Sequence, residues 1–314
     1  MSKPELILMG EYAATEMASL ESDYVVHRYW EAADKPALLK TIGPAIRAIA
    51  TRGDLAVPAD LIAALPKLEA IGIYGVGTDG VDLAACRSRG IKVSNTPDVL
   101  TEDVADLALG LMLAITRQFP QGDRYVRAGT WGEKGNLPLT PCMHGKRVGI
   151  VGLGRIGKAV ALRCEAFRMP ISYFGRNRQA NIAYPYVGSL TELAANSDYL
   201  VATVAGGAGS AKLFGAEVFK ALGTKGFFVN VARGSVADEP ALLQALEDKA
   251  IAGAALDVYL NEPKIDPRFM RLVNVVLLPH IGSATIETRR AMGQLMRDNI
   301  AAHFAGKPLP TPVV

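Results

Sequence analysis

Short apolar runs at residues 6–9, 24–29, 48–51, 70–74 and 91–94 alternate with helix-like segments, and the same alternation begins again at Arg147. In the second series the runs fall at 148–151, 171–174, 200–204, 227–231, 252–258 and 273–278. Strands that alternate with helices specify an α/β chain of parallel sheets covered by helices. The 314 residues suit two such domains at about 150 residues each. Between the two series a helix begins near Thr101, and Pro- and Gly-spotted sequence follows up to Gly145, a natural boundary. Local signals agree. Ser189-Leu-Thr-Glu192 is a capping box, and Asp238 can cap the helix that carries Pro240 in its first turn. The last helix, 286–304, has no strand after it and is expected to pack back on the first domain.

Composition removes several function classes. With 34 basic and 31 acidic residues the net charge is +3, too small to argue for nucleic acid. The longest apolar run, 107–115, is nine residues, against about 20 for a bilayer span, so no membrane partner is expected. The N-terminal apolar stretch is too short for a signal-peptide core. Cys86, Cys142 and Cys164 form no CxxC pair, which points to reduced thiols in the cytoplasm and to no metal site.

The pattern GxGxxG occurs twice, as Gly75-Val-Gly77-Thr-Asp-Gly80 and as Gly152-Leu153-Gly154-Arg155-Ile156-Gly157, each between a strand and a helix. Either could cradle an anion on backbone amides. The first loop carries Asp79 and Asp82, whereas the second carries Arg155 and Lys158 and opens a longer helix. A dinucleotide pyrophosphate therefore belongs to the second. That loop also reads GxxxxGK, but Ala159 supplies no hydroxyl for magnesium, which argues against a triphosphate-hydrolysing site. The first loop is either a tight turn or a nest whose Val76 and Gly77 amides hold a smaller carboxylate.

An NAD site places an acidic residue about 20 positions beyond the glycines. No Asp or Glu occurs from Ala166 to Thr191, and the strand ending at Phe174 runs into Gly175, Arg176, Asn177 and Arg178. Guanidinium forks bind phosphate well, so NADP (NADPH) is the expected cofactor and NAD is disfavoured. Of the four histidines, His27, His144 and His303 read as structural or exposed. His280 ends a strand of the second series, as Arg233 does, with Asp257 and Glu262 near the end of another. Open α/β sheets present ligand-facing groups at such strand ends.

Several ordered segments resemble the D-isomer-specific 2-hydroxyacid dehydrogenase family over nearly the whole chain. They are YGVGTDGVD at 74–82, NTPDVLTEDVADLALGLML at 95–113, GLGRIG at 152–157, NVARGSVADEPAL at 230–242, AGAALDVYLNEP at 252–263 and LLPHIGSAT at 277–285. Within the family the chain is most similar to NADP-dependent glyoxylate/hydroxypyruvate reductases and hydroxyphenylpyruvate reductases, through EAFRMPISYFGRNR and the ending HFAGKPLPTPVV. The resemblance implies reduction of a small 2-oxo acid to the D-2-hydroxy acid, with His280 as general acid, Glu262 as its partner and Arg233 on the substrate carboxylate and carbonyl. It assigns Asp257 to the nicotinamide carboxamide, and Val76, Gly77 and Leu100 to the substrate, with Arg52 a further candidate. Thr101, Val231, Ala232, Gly282 and Ser283 join the glycine loop and Arg176, Asn177 and Arg178 around the cofactor.

The same resemblance implies two Rossmann-like or flavodoxin-like domains with the active site in the cleft between them. Residues 1–98 and 285–314 would bind substrate, and 99–284 would bind the dinucleotide. A homodimer is expected, with 100–145 supplying much of the interface and Trp131 either reaching the partner's pocket or anchoring the interface. The chain departs from the family at residues 205–210, where three glycines replace stiffer residues and a flexible loop along the cofactor is expected. Related proteins use this fold as dinucleotide-sensing corepressors, which carry added segments that are not expected here; a reductase for larger keto acids such as hydroxyphenylpyruvate is the other alternative.

Overall fold

The computed structural model describes residues 3–314. Each of the eleven apolar runs forms a strand, with its ends within two residues of those read from the sequence. Two compact units result: one runs up to Leu100 and resumes at Thr285, and the other spans Thr101–Ala284.

The first unit holds β1 (Glu5–Leu8), β2 (Val25–Arg28), β3 (Ile46–Arg52), β4 (Ala70–Tyr74) and β5 (Lys92–Ser94) in the order β2-β1-β3-β4-β5, all parallel. Register aligns Ile7, Ile49, Ile71 and Val93 in one buried rung, flanked by His27 on the edge strand. Burying each such side chain stabilises the fold by roughly 1.5–3 kcal/mol. The edge histidine is satisfied locally, its Nε2 lying 2.7 Å from Glu5 Oε2. Helix Ile286–Phe304 lies against β4: a Cβ at Gly72 would sit 3.1 Å from Met296 and Ile300, so only glycine allows this approach without displacing them. Tyr74 Oη donates to the Arg289 carbonyl, and buried Glu16 pairs with Arg297 to tie helix Ala14–Asp23 to the same helix.

In the second unit β6 (Val148–Val151), β7 (Ile171–Phe174), β8 (Tyr199–Ala202), β9 (Phe227–Asn230), β10 (Gly253–Leu256) and β11 (Val275–Leu277) take the order β11-β10-β9-β8-β6-β7, again all parallel. A single rung runs Tyr173, Ile150, Val201, Val229, Ala255, Val276, and every member is buried. Such near-continuous apolar strands are what a sheet covered on both faces requires. The apolar run at 107–115 lies in helix Thr101–Arg117, which buries Val104, Ala108, Leu111, Met112 and Ile115. No helix among the described residues is long and apolar enough to cross a membrane. The three cysteines are free, Cys86 and Cys164 buried and Cys142 exposed.

One local expectation is corrected. Ser189 Oγ does accept from the Glu192 amide, but the Asp238 side chain makes no capping bond; it forms an ion pair with Lys212 instead, at 3.7 Å. The glycine-rich loop at 205–210 carries hydrogen bonds of its own. Ser210 is buried, and its hydroxyl donates to the Ala205 carbonyl at 2.6 Å, while the Lys212 and Phe214 amides donate to Ser235 and Val236. Of its glycines only Gly207 has a positive φ, +120°, so one position needs glycine for its backbone.

Candidate active site

The glycine loop follows β6, and its three glycines do three different things. Gly152 has φ +95°, and a Cβ there would lie 2.6 Å from Val204 Cα. At Gly157 a Cβ would lie 2.3 Å from the Gly152 carbonyl oxygen, so this glycine lets the helix Arg155–Ala166 close on the strand. A Cβ at Gly154 would meet nothing within 4 Å. First and third glycines serve packing, while the second leaves the open ground that a pyrophosphate needs above a helix N-terminus. The residues present therefore fit a dinucleotide. Val231 and Ala232, just after β9, are buried, as is Gly282. Thr101 opens its helix, and Ser283 is half-buried.

After β7 the chain turns through Gly175, Arg176, Asn177 and Arg178, the last three exposed. Neither guanidinium of this turn makes a hydrogen bond or ion pair among the described residues, whereas the turn itself is tied down. Tyr186 Oη donates to the Gly175 carbonyl, and the Gln179 amide donates to Tyr173 Oη at 2.8 Å.

Arg233, Asp257 and His280 follow β9, β10 and β11, three neighbouring strands, so sheet order gathers residues far apart in sequence. Asn230, almost fully buried at the end of β9, shapes the Arg233 turn: its Oδ1 accepts from the Ala232 amide and its Nδ2 donates to the Arg233 carbonyl, each at 3.0 Å. The Arg233 guanidinium donates to the Ala232 carbonyl at 2.8 Å. A Cβ at Gly234 would fall 1.8 Å from the Tyr259 carbonyl carbon, so glycine alone lets the Arg233 turn press against the segment leading to Glu262.

Glu262 uses both oxygens. Oε1 accepts from the Tyr259 amide at 2.8 Å, and Oε2 lies 2.6 Å from His280 Nδ1. A carboxylate there is an acceptor, so it assigns the proton to Nδ1 in the neutral ring and leaves Nε2 facing away from the pair. The His280 backbone is left-handed, φ +54°, which costs a non-glycine residue about 1–2 kcal/mol. The next two amides hold it so: Ile281 and Gly282 donate to the two oxygens of Asp257, each at 2.8 Å. Asp257 is buried, and desolvation raises its pKa, against the pull of those amides and of His280. Tyr259 Oη donates to the Leu278 carbonyl at 3.0 Å and lies 3.2 Å from that of Leu256, linking the ends of β10 and β11.

In the first unit, Val76 and Gly77 follow β4. Gly75, with φ +148°, donates to Thr96 Oγ1 and accepts from the Thr96 amide, and the Val76 carbonyl accepts from Asn95 Nδ2. The Val76 and Gly77 amides donate to no group among the described residues. Leu100 is buried, and Arg52 is locked on Asp54 by bonds of 3.0 and 2.6 Å. Asn230, Gly234 and Gln179 escaped the sequence reading. A buried asparagine closing an otherwise apolar strand was the one signal available.

Residues 109–282 match the family model described as D-isomer specific 2-hydroxyacid dehydrogenase, NAD binding domain. The chain is 48% identical over 295 residues to a hydroxyphenylpyruvate reductase from Plectranthus scutellarioides, covering 94% of each chain. It is 43% identical to a 2-ketogluconate reductase from Gluconobacter oxydans, covering 100% of this chain and 99% of that one. Among solved structures, an NADPH-dependent glyoxylate/hydroxypyruvate reductase from Sinorhizobium meliloti in complex with NADP and malonate superposes with a TM-score of 0.94 at 40% identity, covering 100% and 97% of the two chains. With the glycine loop, the Arg233 turn and the His280–Glu262 pair all in place, the chain belongs to the D-isomer-specific 2-hydroxyacid dehydrogenase family.

Proposed function

We propose that this protein reduces a small 2-oxo acid of the glyoxylate/hydroxypyruvate class to the D-2-hydroxy acid, with NADPH as the reductant. The observation that carries the reading is the His280–Glu262 pair, 2.6 Å apart and held by the Asp257 grip on the following amides. The bound nicotinamide supplies the hydride. His280 gives a proton from Nε2 to the substrate carbonyl oxygen, and Glu262 keeps the ring oriented; such proton transfer is worth roughly 10²–10⁴ in rate. Arg233 holds the substrate carboxylate and stabilises the developing oxyanion by on the order of 3 kcal/mol. The Val76 and Gly77 amides are assigned to the same carboxylate, Leu100 to the rest of the substrate, and Asp257 to the nicotinamide carboxamide.

Arg176 and Arg178 support the choice of NADPH, since exposed guanidinium groups with no carboxylate nearby in sequence suit a 2′-phosphate. A relative of known structure binds NADP, which accords with this. The protein acts as a homodimer: Phe119, Val126, Trp131 and Leu139 are all large, apolar and exposed in one stretch of the second unit, a surface suited to a second copy.

The deciding experiment is steady-state turnover with NADPH and NADH against glyoxylate, hydroxypyruvate, hydroxyphenylpyruvate and 2-ketogluconate. Turnover of glyoxylate or hydroxypyruvate favouring NADPH is expected. Tight cofactor binding with no turnover across that panel would refute the enzyme reading and favour a corepressor-like protein.

A further inference from the structure

We infer that Gln179 is a positioning residue for cofactor choice: it couples the arginine turn to the glycine loop and so sets where a 2′-phosphate is gripped. The inference rests on the NADPH reading above. Gln179 Nε2 donates to the Leu153 carbonyl at 2.6 Å, and Leu153 is the buried residue between the first two glycines of the loop. The backbone amide of Gln179 donates to Tyr173 Oη at 2.8 Å. At the other end of the turn the Gly175 carbonyl accepts from Tyr186 Oη at 3.2 Å. Both phenols belong to a fixed pair: Tyr173 is buried on β7, its ring centroid is 5.4 Å from that of Tyr186, and the Tyr173 and Tyr186 backbones form a parallel bridge.

Arg176 and Arg178 therefore stand on a turn pinned at both ends. One of those pins, the Gln179 side chain, also reaches the loop that cradles the pyrophosphate. A dinucleotide carries its pyrophosphate and its 2′-phosphate at a fixed covalent separation, so a scaffold that fixes the spacing of the two grips is ordered before the ligand arrives. Ordering a loose turn costs conformational entropy, which binding would otherwise have to offset. A ligand without the 2′-phosphate draws little from the arginines and gains little from the pin.

The test compares binding of adenosine 2′,5′-bisphosphate and 5′-AMP to the full-length protein by calorimetry, in the unmodified chain and in Gln179→Met, which keeps the length and loses the donor. The unmodified protein is expected to favour the bisphosphate, and Gln179→Met to reduce that preference about tenfold through the bisphosphate alone. Equal weakening of both ligands would mean a merely structural residue and overturn the inference, as would an unchanged preference; in both cases the NADPH reading stands. An unmodified protein that does not favour the bisphosphate overturns the NADPH reading and the inference with it. Should Gln179→Met fail to fold, Tyr173→Phe decides on the same criteria, because it removes only the hydroxyl that anchors the Gln179 amide.

Discussion

Glu262 Oε2 sits 2.6 Å from His280 Nδ1 while Glu262 Oε1 accepts from the Tyr259 amide, so the carboxylate that orients the imidazole is itself fixed by the backbone. Glu262→Gln keeps the shape and removes the charge. A neutral amide is a weaker acceptor for Nδ1 than a carboxylate and holds the ring less firmly, so kcat should fall about 10- to 100-fold with KM changing far less. Steady-state kinetics checks this, and an equal rise in KM with kcat retained would instead place Glu262 in substrate binding.

The glycines of the nucleotide loop separate packing from ligand space. Gly154→Ala adds a methyl where no atom lies within 4 Å, and should weaken NADPH and NADH alike by about tenfold with the thermal midpoint unchanged. Gly157→Ala sets a methyl 2.3 Å from the Gly152 carbonyl oxygen and should destabilise the protein by about 1–3 kcal/mol. Melting curves and cofactor titrations of the two variants should therefore fail in opposite ways.

Asp198 gives a pH signature of stability. Burial opposes its ionisation, but hydrogen bonds from the Arg147 guanidinium and amide outweigh this and hold its pKa below the ordinary 3.8. A depressed carboxylate contributes stability that is complete above its unfolded value and is lost as pH falls through the lower folded one. Urea unfolding at about pH 7 should show Asp198→Ala less stable by about 1 kcal/mol, with the gap closing only below the ordinary carboxylate range. A gap that closes above about pH 5 would contradict the sign of the shift.

The exposed apolar stretch predicts an oligomer. Light scattering should find a dimer, and Val126→Glu with Leu139→Glu should yield a folded monomer, because two buried charges without partners are costly at an interface. A monomeric unmodified protein would rule the homodimer out.

The strands were legible because each is a short apolar run bounded by turn residues. His280, Glu262 and Arg233 were legible because strand ends are where such sheets present polar groups, and because the surrounding motifs resemble a known family. What holds those residues was not legible. Gly234 matters only because β9 and β10 are neighbours, and the partners of Asp257 are amides 24 and 25 residues away. No local pattern encodes either contact. Asp238 shows the reverse error: its position is that of a cap, but a lysine brought near by the fold takes its carboxylate.

Proton donation by His280 is tested by the turnover of His280→Ala, measured beside its affinity for NADPH. A loss of about 10²–10⁴ in kcat is expected, with NADPH affinity within about twofold of the unmodified protein. A variant that keeps more than about a tenth of its turnover would contradict it, because general acid catalysis by this residue is worth more than that.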